Sequence, residues 1–189
     1  RHVPLVFSFR IAVLLERDFQ VCPEITMADR KCAATVQSLT ELTEYLGIHV
    51  LGTFRGPPFM NVVHGGSLFQ NGTPLRVNSR HRPLLLLLQT VRVVTQSRLE
   101  HPMRSPVIGA NRIHSQAIKR LGQNLRVTAV DNDLFVQAIE STQGQWLTGI
   151  QWHPEYLLYH GGHRRIFGQF VDAARRFKLA RLEPDSGEA

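Results

Sequence analysis

Apolar positions along this chain follow two rhythms. Cys32, Val36, Leu39, Leu42, Tyr45 and Leu46 fall at helical spacing, which predicts a helix from Asp29 to Leu46. Asp29 can cap its start and Gly47 its end. The next residues, Ile48-His49-Val50-Leu51-Gly52, are a β-branched apolar run and read as a buried parallel strand. Residues 3–8 read as another short buried strand. Helix, short turn and buried strand form the repeating unit of an open α/β sheet.

Further along, the sharp turn after Gly52 leads into a short helix containing Met60, Val62 and Val63, stopped by Gly65-Gly66. Residues 71–83 are rich in Asn, Gly, Arg and Pro and read as a loop. Leu84 to Val94 is one strand, or two with a bend, and residues 101–110 form an irregular connection. Ser115 to Leu121 reads as a short helix ended by Gly122. Leu125–Val130 and Leu134–Ile139 read as a hairpin around Asp131-Asn132-Asp133, and Trp146–Trp152 as a strand. A last helix over residues 162–178 gathers Ile166, Phe167, Phe170, Val171 and Ala174 on one face. No internal repeat and no second domain is visible. The expectation is one domain over residues 1–180, with a disordered tail over 181–189 that has no apolar anchor.

Composition narrows the class. Of 189 residues, 43% are hydrophobic and 20% charged, a globular balance. The longest apolar run, Pro83 to Leu88, is far below the roughly 20 residues that span a bilayer. Two cysteines, Cys22 and Cys32, are too few for a disulfide framework, so reduced thiols in a cytoplasmic protein are expected. The formal charge of +7 admits a nucleic-acid partner or a merely solvated basic surface. The second is preferred, because the basic residues are scattered and no nucleic-acid motif accompanies them.

Three segments carry candidate chemistry. Gly52-Thr53-Phe54-Arg55-Gly56 follows a strand and precedes a helix, the layout of a nucleophile elbow or of a purely structural turn. The middle residue of such an elbow sits above a helix N-terminus, which favours a thiolate or oxyanion. In Gln151-Trp152-His153-Pro154-Glu155, His153 is either a general base oriented by Glu155, or the pair caps a loop. In Asn111-Arg112-Ile113-His114-Ser115-Gln116, the polar residues either prepare a helix N-terminus for a carboxylate, or Asn111 or Ser115 simply caps it.

Taken together and in this order, the segments resemble the class I glutamine amidotransferase superfamily, most closely its γ-glutamyl-γ-aminobutyrate hydrolase branch. The similarity lies in Gly52, Arg55, Gly56, Asn61, Val62, Gly65, Gly66, Leu68 and Gln70. It continues in Asn111, His114, Gln116, Ala117 and Ile118, in Lys119-Arg120-Leu121-Gly122, in Val136 to Glu140, and in Gly149 to Glu155. It runs from about Leu5 to Ala174. The resemblance implies a three-layer α/β fold with a mostly parallel, flavodoxin-like sheet, and no metal or organic cofactor. It implies cleavage of γ-glutamyl amides by a Cys-His-Glu triad, with His153 as base, Glu155 as its orienter, and Arg55, His114 and Gln116 near the substrate. A homo-oligomer is compatible with it.

The resemblance also exposes departures. Phe54 stands where the family has its cysteine, Pro58 where it has Gln, and Phe9-Arg10 where it has an oxyanion-hole Gly-Gly. Set against that resemblance, the expectation is that the strands and helices opening the family's fold are absent, an N-terminal truncation that would leave a sheet edge unpaired. Thr53 leaves the turn in the wrong direction to replace the nucleophile, and Cys32 reads as core. The expectation is therefore an inactive hydrolase with weak or absent substrate binding. The alternatives are a non-catalytic binder of a γ-glutamyl ligand or protein partner and, distantly, a basic nucleic-acid-associated protein.

Overall fold

The computed structural model describes residues 5–7, 49–78, 84–112, 114–144 and 146–182. The helix expected over Asp29–Leu46, Phe9-Arg10, Cys22, Cys32 and residues 183–189 lie outside them. In chain order the elements are β1 (Leu5–Phe7), β2 (Val50–Thr53), α1 (Gly56–Val63), β3 (Ser67–Phe69) and β4 (Leu84–Val93). There follow α2 (Glu100–Met103), β5 (Val107–Arg112), β6 (Ala117–Arg120), β7 (Leu125–Asp131), β8 (Val136–Ser141), β9 (Leu147–Ile150) and α3 (Gly161–Leu182).

The main sheet has the order β1-β2-β9-β8-β7-β4-β5. The α/β class stands, but the expectation of a mostly parallel sheet needs correcting: among the described residues the sheet is mixed. Parallel pairing is confined to β1, β2 and β9. The pairings β9–β8, β8–β7, β7–β4 and β4–β5 are antiparallel. The connections after Asp131 and Ser141 are too short for the crossover of a dozen or more residues that a parallel return requires.

Helices cover both faces. On one face, Val50, Met60, Ile118, Leu125, Ile139 and Leu147 form a core beneath α1. On the other, Leu51, Ile150, Trp152 and Trp146 pack against Ile166, Phe170 and Ala173 of α3. Successive β2 residues point to opposite faces and both faces are dry, so Val50, Leu51, Gly52 and Thr53 are all buried. The close seat of α1 depends on a pair of glycines. Gly52 and Gly149 are register partners in β2 and β9. A Cβ on Gly52 would lie 2.9 Å from the Gly56 Cα, and one on Gly149 would lie 3.1 Å from the Pro57 Cα.

Three local expectations are overturned. The segment Ser115–Leu121 is not a helix. It contains strand β6, antiparallel to β3 in a separate two-stranded sheet. Ala117 and Ile118 are buried there, Ile118 within the α1-side core, and this pairing outweighs the local helical preference. The stretch 101–110, expected to be irregular, holds all but the first residue of α2 and the start of β5. The last helix, expected over residues 162–178, runs from Gly161 to Leu182. Leu84–Val93 is a single strand with a register shift against β5. Within the loop expected from Asn71 onward, Thr73–Leu75 form a 3₁₀ turn.

Asn61 ties α1 to both strands of the small sheet. Fully buried in α1, it donates from Nδ2 to the carbonyls of Ser67 (3.2 Å) and Arg120 (3.0 Å). Its Oδ1 accepts from the Gly122 amide at 2.8 Å. Removing one side of a buried hydrogen bond leaves the other unsatisfied, at about 1–3 kcal/mol each. Asn61→Ala is expected to lower unfolding stability by about 2–4 kcal/mol, measured as a fall in the urea midpoint at unchanged slope.

Candidate functional site

The site forms where β2 and β9 end side by side. Their parallel register runs from Val50↔Leu147 to Thr53↔Ile150. It is extended by a bond from the Phe54 amide to the Ile150 carbonyl at 2.8 Å. There the chain bends sharply: Phe54 has a φ of 57°, in the left-handed region, and α1 begins two residues later. For a side chain with a Cβ this conformation costs roughly 1–2 kcal/mol. A strained residue between a strand and a helix N-terminus is the geometry of a nucleophile elbow. Thr53 is buried as the last residue of β2.

The helix beneath the elbow offers little to an anion. Arg55 occupies its N-cap position without a side-chain cap, and Pro57 and Pro58 fill the first turn. Proline is well tolerated there, because first-turn amides have no partner within the helix. For the same reason, each proline deletes an amide that would otherwise be available to an oxyanion. The Phe59 amide is already bonded to the Arg55 carbonyl at 3.2 Å. The Arg55 guanidinium lies 5.7 Å from the centre of the Phe54 ring.

His153 sits just past β9 and is 4% exposed. Its Nδ1 is 2.8 Å from the Glu155 Oε1. With Nδ1–H donated to the carboxylate, Nε2 is the nitrogen left for proton transfer. Phe54 stacks on the imidazole with ring centres 4.6 Å apart and planes inclined by 27°. Tyr156 stacks on it as well, at 5.0 Å and 22°. The structure thus brings Phe54, His153 and Glu155 together. An imidazole oriented by a carboxylate can act as a base, but the ring facing it has neither a transferable proton nor a lone pair.

His114 and Gln116 belong to a neighbouring cluster. Nδ1 of His114 donates to the Gln116 carbonyl at 2.9 Å, and Gln116 Nε2 donates to Gln70 Oε1 at 3.2 Å. Burial pushes the His114 imidazole down to about 4, and the nearby Arg76 acts in the same direction. Because β6 is a strand, the helix N-terminus expected to receive a carboxylate does not exist here. Arg76 closes this region from the loop side. It is bonded to the buried Asp131, which also accepts from Gln137 Nε2 at 3.1 Å, and it lies 4.5 Å from the Phe135 ring centre.

Contacts of Asn111 and His163 are among those that escaped the sequence reading. Asn111, in β5, caps no helix. Its Nδ2 donates to the His153 carbonyl at 3.0 Å and its Oδ1 accepts from the His153 amide at 2.8 Å. This clamp fixes the backbone that carries the imidazole. His163, in α3, accepts at Nδ1 from Trp152 Nε1 (3.2 Å) and donates from Nε2 to the Gly109 carbonyl (3.1 Å). The first bond requires the neutral ring, because a protonated Nδ1 cannot accept. Nothing in the sequence signals either contact, since each partner lies more than 10 positions away and on another element. Among the described residues, no group of three or more His, Cys, Asp or Glu could hold a metal ion, and no helix is long and apolar enough to cross a membrane.

The sequence profile of the Peptidase C26 family matches residues 20–155. A Schizosaccharomyces pombe protein named a "putative glutamine amidotransferase" is 35% identical over 132 residues, covering 68% of this chain and 51% of that protein. A Mycobacterium tuberculosis protein named in the same words is 34% identical over 144 residues, covering 73% of this chain and 45% of that one. The chain therefore spans about half the length of these curated relatives. The solved structure of a glutamine amidotransferase from Thermotoga maritima superposes with a TM-score of 0.54 at 12% identity, over 85% of this chain and 61% of that chain, a likeness of fold. The chain belongs to the Peptidase C26 family, within the class I glutamine amidotransferase group.

His114 and His163 set a pH dependence. Burial pushes His163, like His114, down to about 4, with His160 adding to the effect. Unfolded histidine titrates near 6.5. Between these values the unfolded chain binds more protons than the folded one, so stability falls as pH drops through this window. The urea midpoint is expected to decline from about pH 6.5 towards pH 4, and His163→Gln should flatten part of that slope.

Proposed function

We propose that this chain is a non-catalytic member of the γ-glutamyl hydrolase lineage, whose substrate class is γ-glutamyl amides of the γ-aminobutyrate type. One observation carries the reading: Phe54 occupies the left-handed elbow and stacks on His153 at 4.6 Å. Family membership and the His153–Glu155 pair at 2.8 Å support the lineage. The ring on the imidazole and the prolines in the first turn of α1 support the loss of chemistry.

The reaction needs a thiolate at position 54. His153 would take the thiol proton at Nε2, while Glu155 held Nδ1–H and stabilised the imidazolium. The thiolate would attack the γ-carbonyl carbon, forming a C–S bond and moving the carbonyl electrons onto oxygen. Collapse would break the C–N bond, and the amine would leave with the proton from His153. Water, deprotonated by the same imidazole, would then cleave the thioester, releasing glutamate and returning the thiol. With Phe54 in place the first step has no electron pair to begin it. The ring also fills space beside His153 that the γ-carbonyl would need.

Glutamate release from γ-glutamyl-γ-aminobutyrate and from glutamine tests the reading. The unmodified chain is expected to show none above the uncatalysed rate, because losing the nucleophile of a cooperating triad removes nearly all its catalysis. Phe54→Cys should gain measurable turnover, limited by the scarcity of oxyanion donors, each worth roughly 10²–10³ in rate. Release of glutamate by the unmodified chain would overturn the proposal.

A further inference from the structure

The chain between β9 and the 3₁₀ turn at Pro154–Leu157 ties three successive residues to three different elements. Trp152 bonds His163 of α3, and His153 is clamped by Asn111 of β5. Gln151 reaches the elbow: its Nε2 donates to the Phe54 carbonyl at 2.9 Å, across 97 positions of sequence. Its own amide is anchored to the Gln137 carbonyl of β8 at 2.8 Å, and the residue is 2% exposed. Its Oε1 has no partner among the described residues. An apolar side chain of the same shape would avoid that unmet acceptor, so what Gln151 contributes at this place is its donor.

That donor meets the chain at a strained point, one of five left-handed non-glycine residues among those described. Phe54 holds a positive φ that residues with a Cβ adopt reluctantly. Its amide is fixed by Ile150, but its carbonyl lies beyond the strand ladder, on the peptide that must turn into α1. A single hydrogen bond and the strain of one left-handed residue are of the same order, so one bond can decide whether the elbow keeps its shape. Released, the peptide between residues 54 and 55 could rotate and swing the side chain at 54 away from His153.

We propose that Gln151 is a positioning residue: by bonding the carbonyl of residue 54, its side-chain amide holds the elbow in register with His153, two residues further along its own chain. The proposal rests on the reading of position 54 as the nucleophile position. It extends that reading from the residues that would react to the one that spaces them.

The test uses the full chain carrying Phe54→Cys, with and without Gln151→Met, and needs no hydrolytic turnover. Iodoacetamide alkylation of the introduced thiol is followed from pH 5 to 9 by peptide mass mapping, which separates it from Cys22 and Cys32. Circular dichroism and Tm verify folding. A thiol held against His153 should titrate below the ordinary value of about 8.5. Gln151→Met is expected to move the profile upward by about one pH unit and to slow alkylation at neutral pH about tenfold. An unchanged profile in a folded Gln151→Met protein overturns the proposal. Should that variant fail to fold, Gln151→Glu decides. Its neutral carboxyl can donate to the same carbonyl and its ionised form cannot, so the profile should follow the parent only at acid pH. Identity with the parent across the whole range overturns the proposal. A His153→Asn control keeps the two readings apart. If it leaves the thiol's profile unmoved, position 54 is not the nucleophile position; if only Gln151→Met does so, the positioning role alone fails.

Discussion

The parallel pairing of β2 with β9 is the constraint on which the site depends. It aligns Val50 with Leu147 and Thr53 with Ile150, so the two strands end together, and the bond from the Phe54 amide to the Ile150 carbonyl extends that alignment by one residue. Everything beyond those ends inherits its position: the elbow on one side, the Gln151–Glu155 segment on the other. The same pairing sets Gly52 opposite Gly149 and makes the flat floor on which α1 rests. A one-residue slip would turn every β2 side chain to the opposite face and bring bulk under the helix.

Around this axis the site is held mostly by polar contacts to the backbone. Asn111 holds the backbone of His153, Gln151 that of Phe54, and Asn61 that of Ser67, Arg120 and Gly122. Such bonds do not depend on what the side chain at position 54 can do. This strand-to-helix turn can therefore persist with a phenyl ring at its apex. Stacking on His153 and contact with Arg55 give that ring a favourable place and offset some of the backbone strain.

Legibility differed between elements for identifiable reasons. The β7–β8 hairpin announces itself through Asp131-Asn132-Asp133, and α1 through its paired glycines, because turn chemistry is local. β6 misled because Gln116-Ala117-Ile118-Lys119 suits a helix when taken alone, and only its partner β3 makes it a strand. The mixed sheet was hidden because the resemblance favoured parallel order, while the short connections after β7 and β8 force antiparallel returns. At the site, the residue types and the spacing of Phe54 and His153-Pro154-Glu155 were readable. The clamps from Asn111, Gln151 and His163 were not, since hydrogen bonds between distant positions leave no periodic trace.

The sequence by itself determined the family, the α/β class and the presence of an apolar, non-nucleophilic residue at position 54. Those depend on residue identity and local spacing, which the chain carries in one dimension. Only the tertiary structure decided that Phe54 lies on the His153 ring, that Asn111 and Gln151 hold the two halves of the site, and that β6 pairs with β3. Those are relations between segments tens of residues apart, and they come into being only when the strands pair and the core closes.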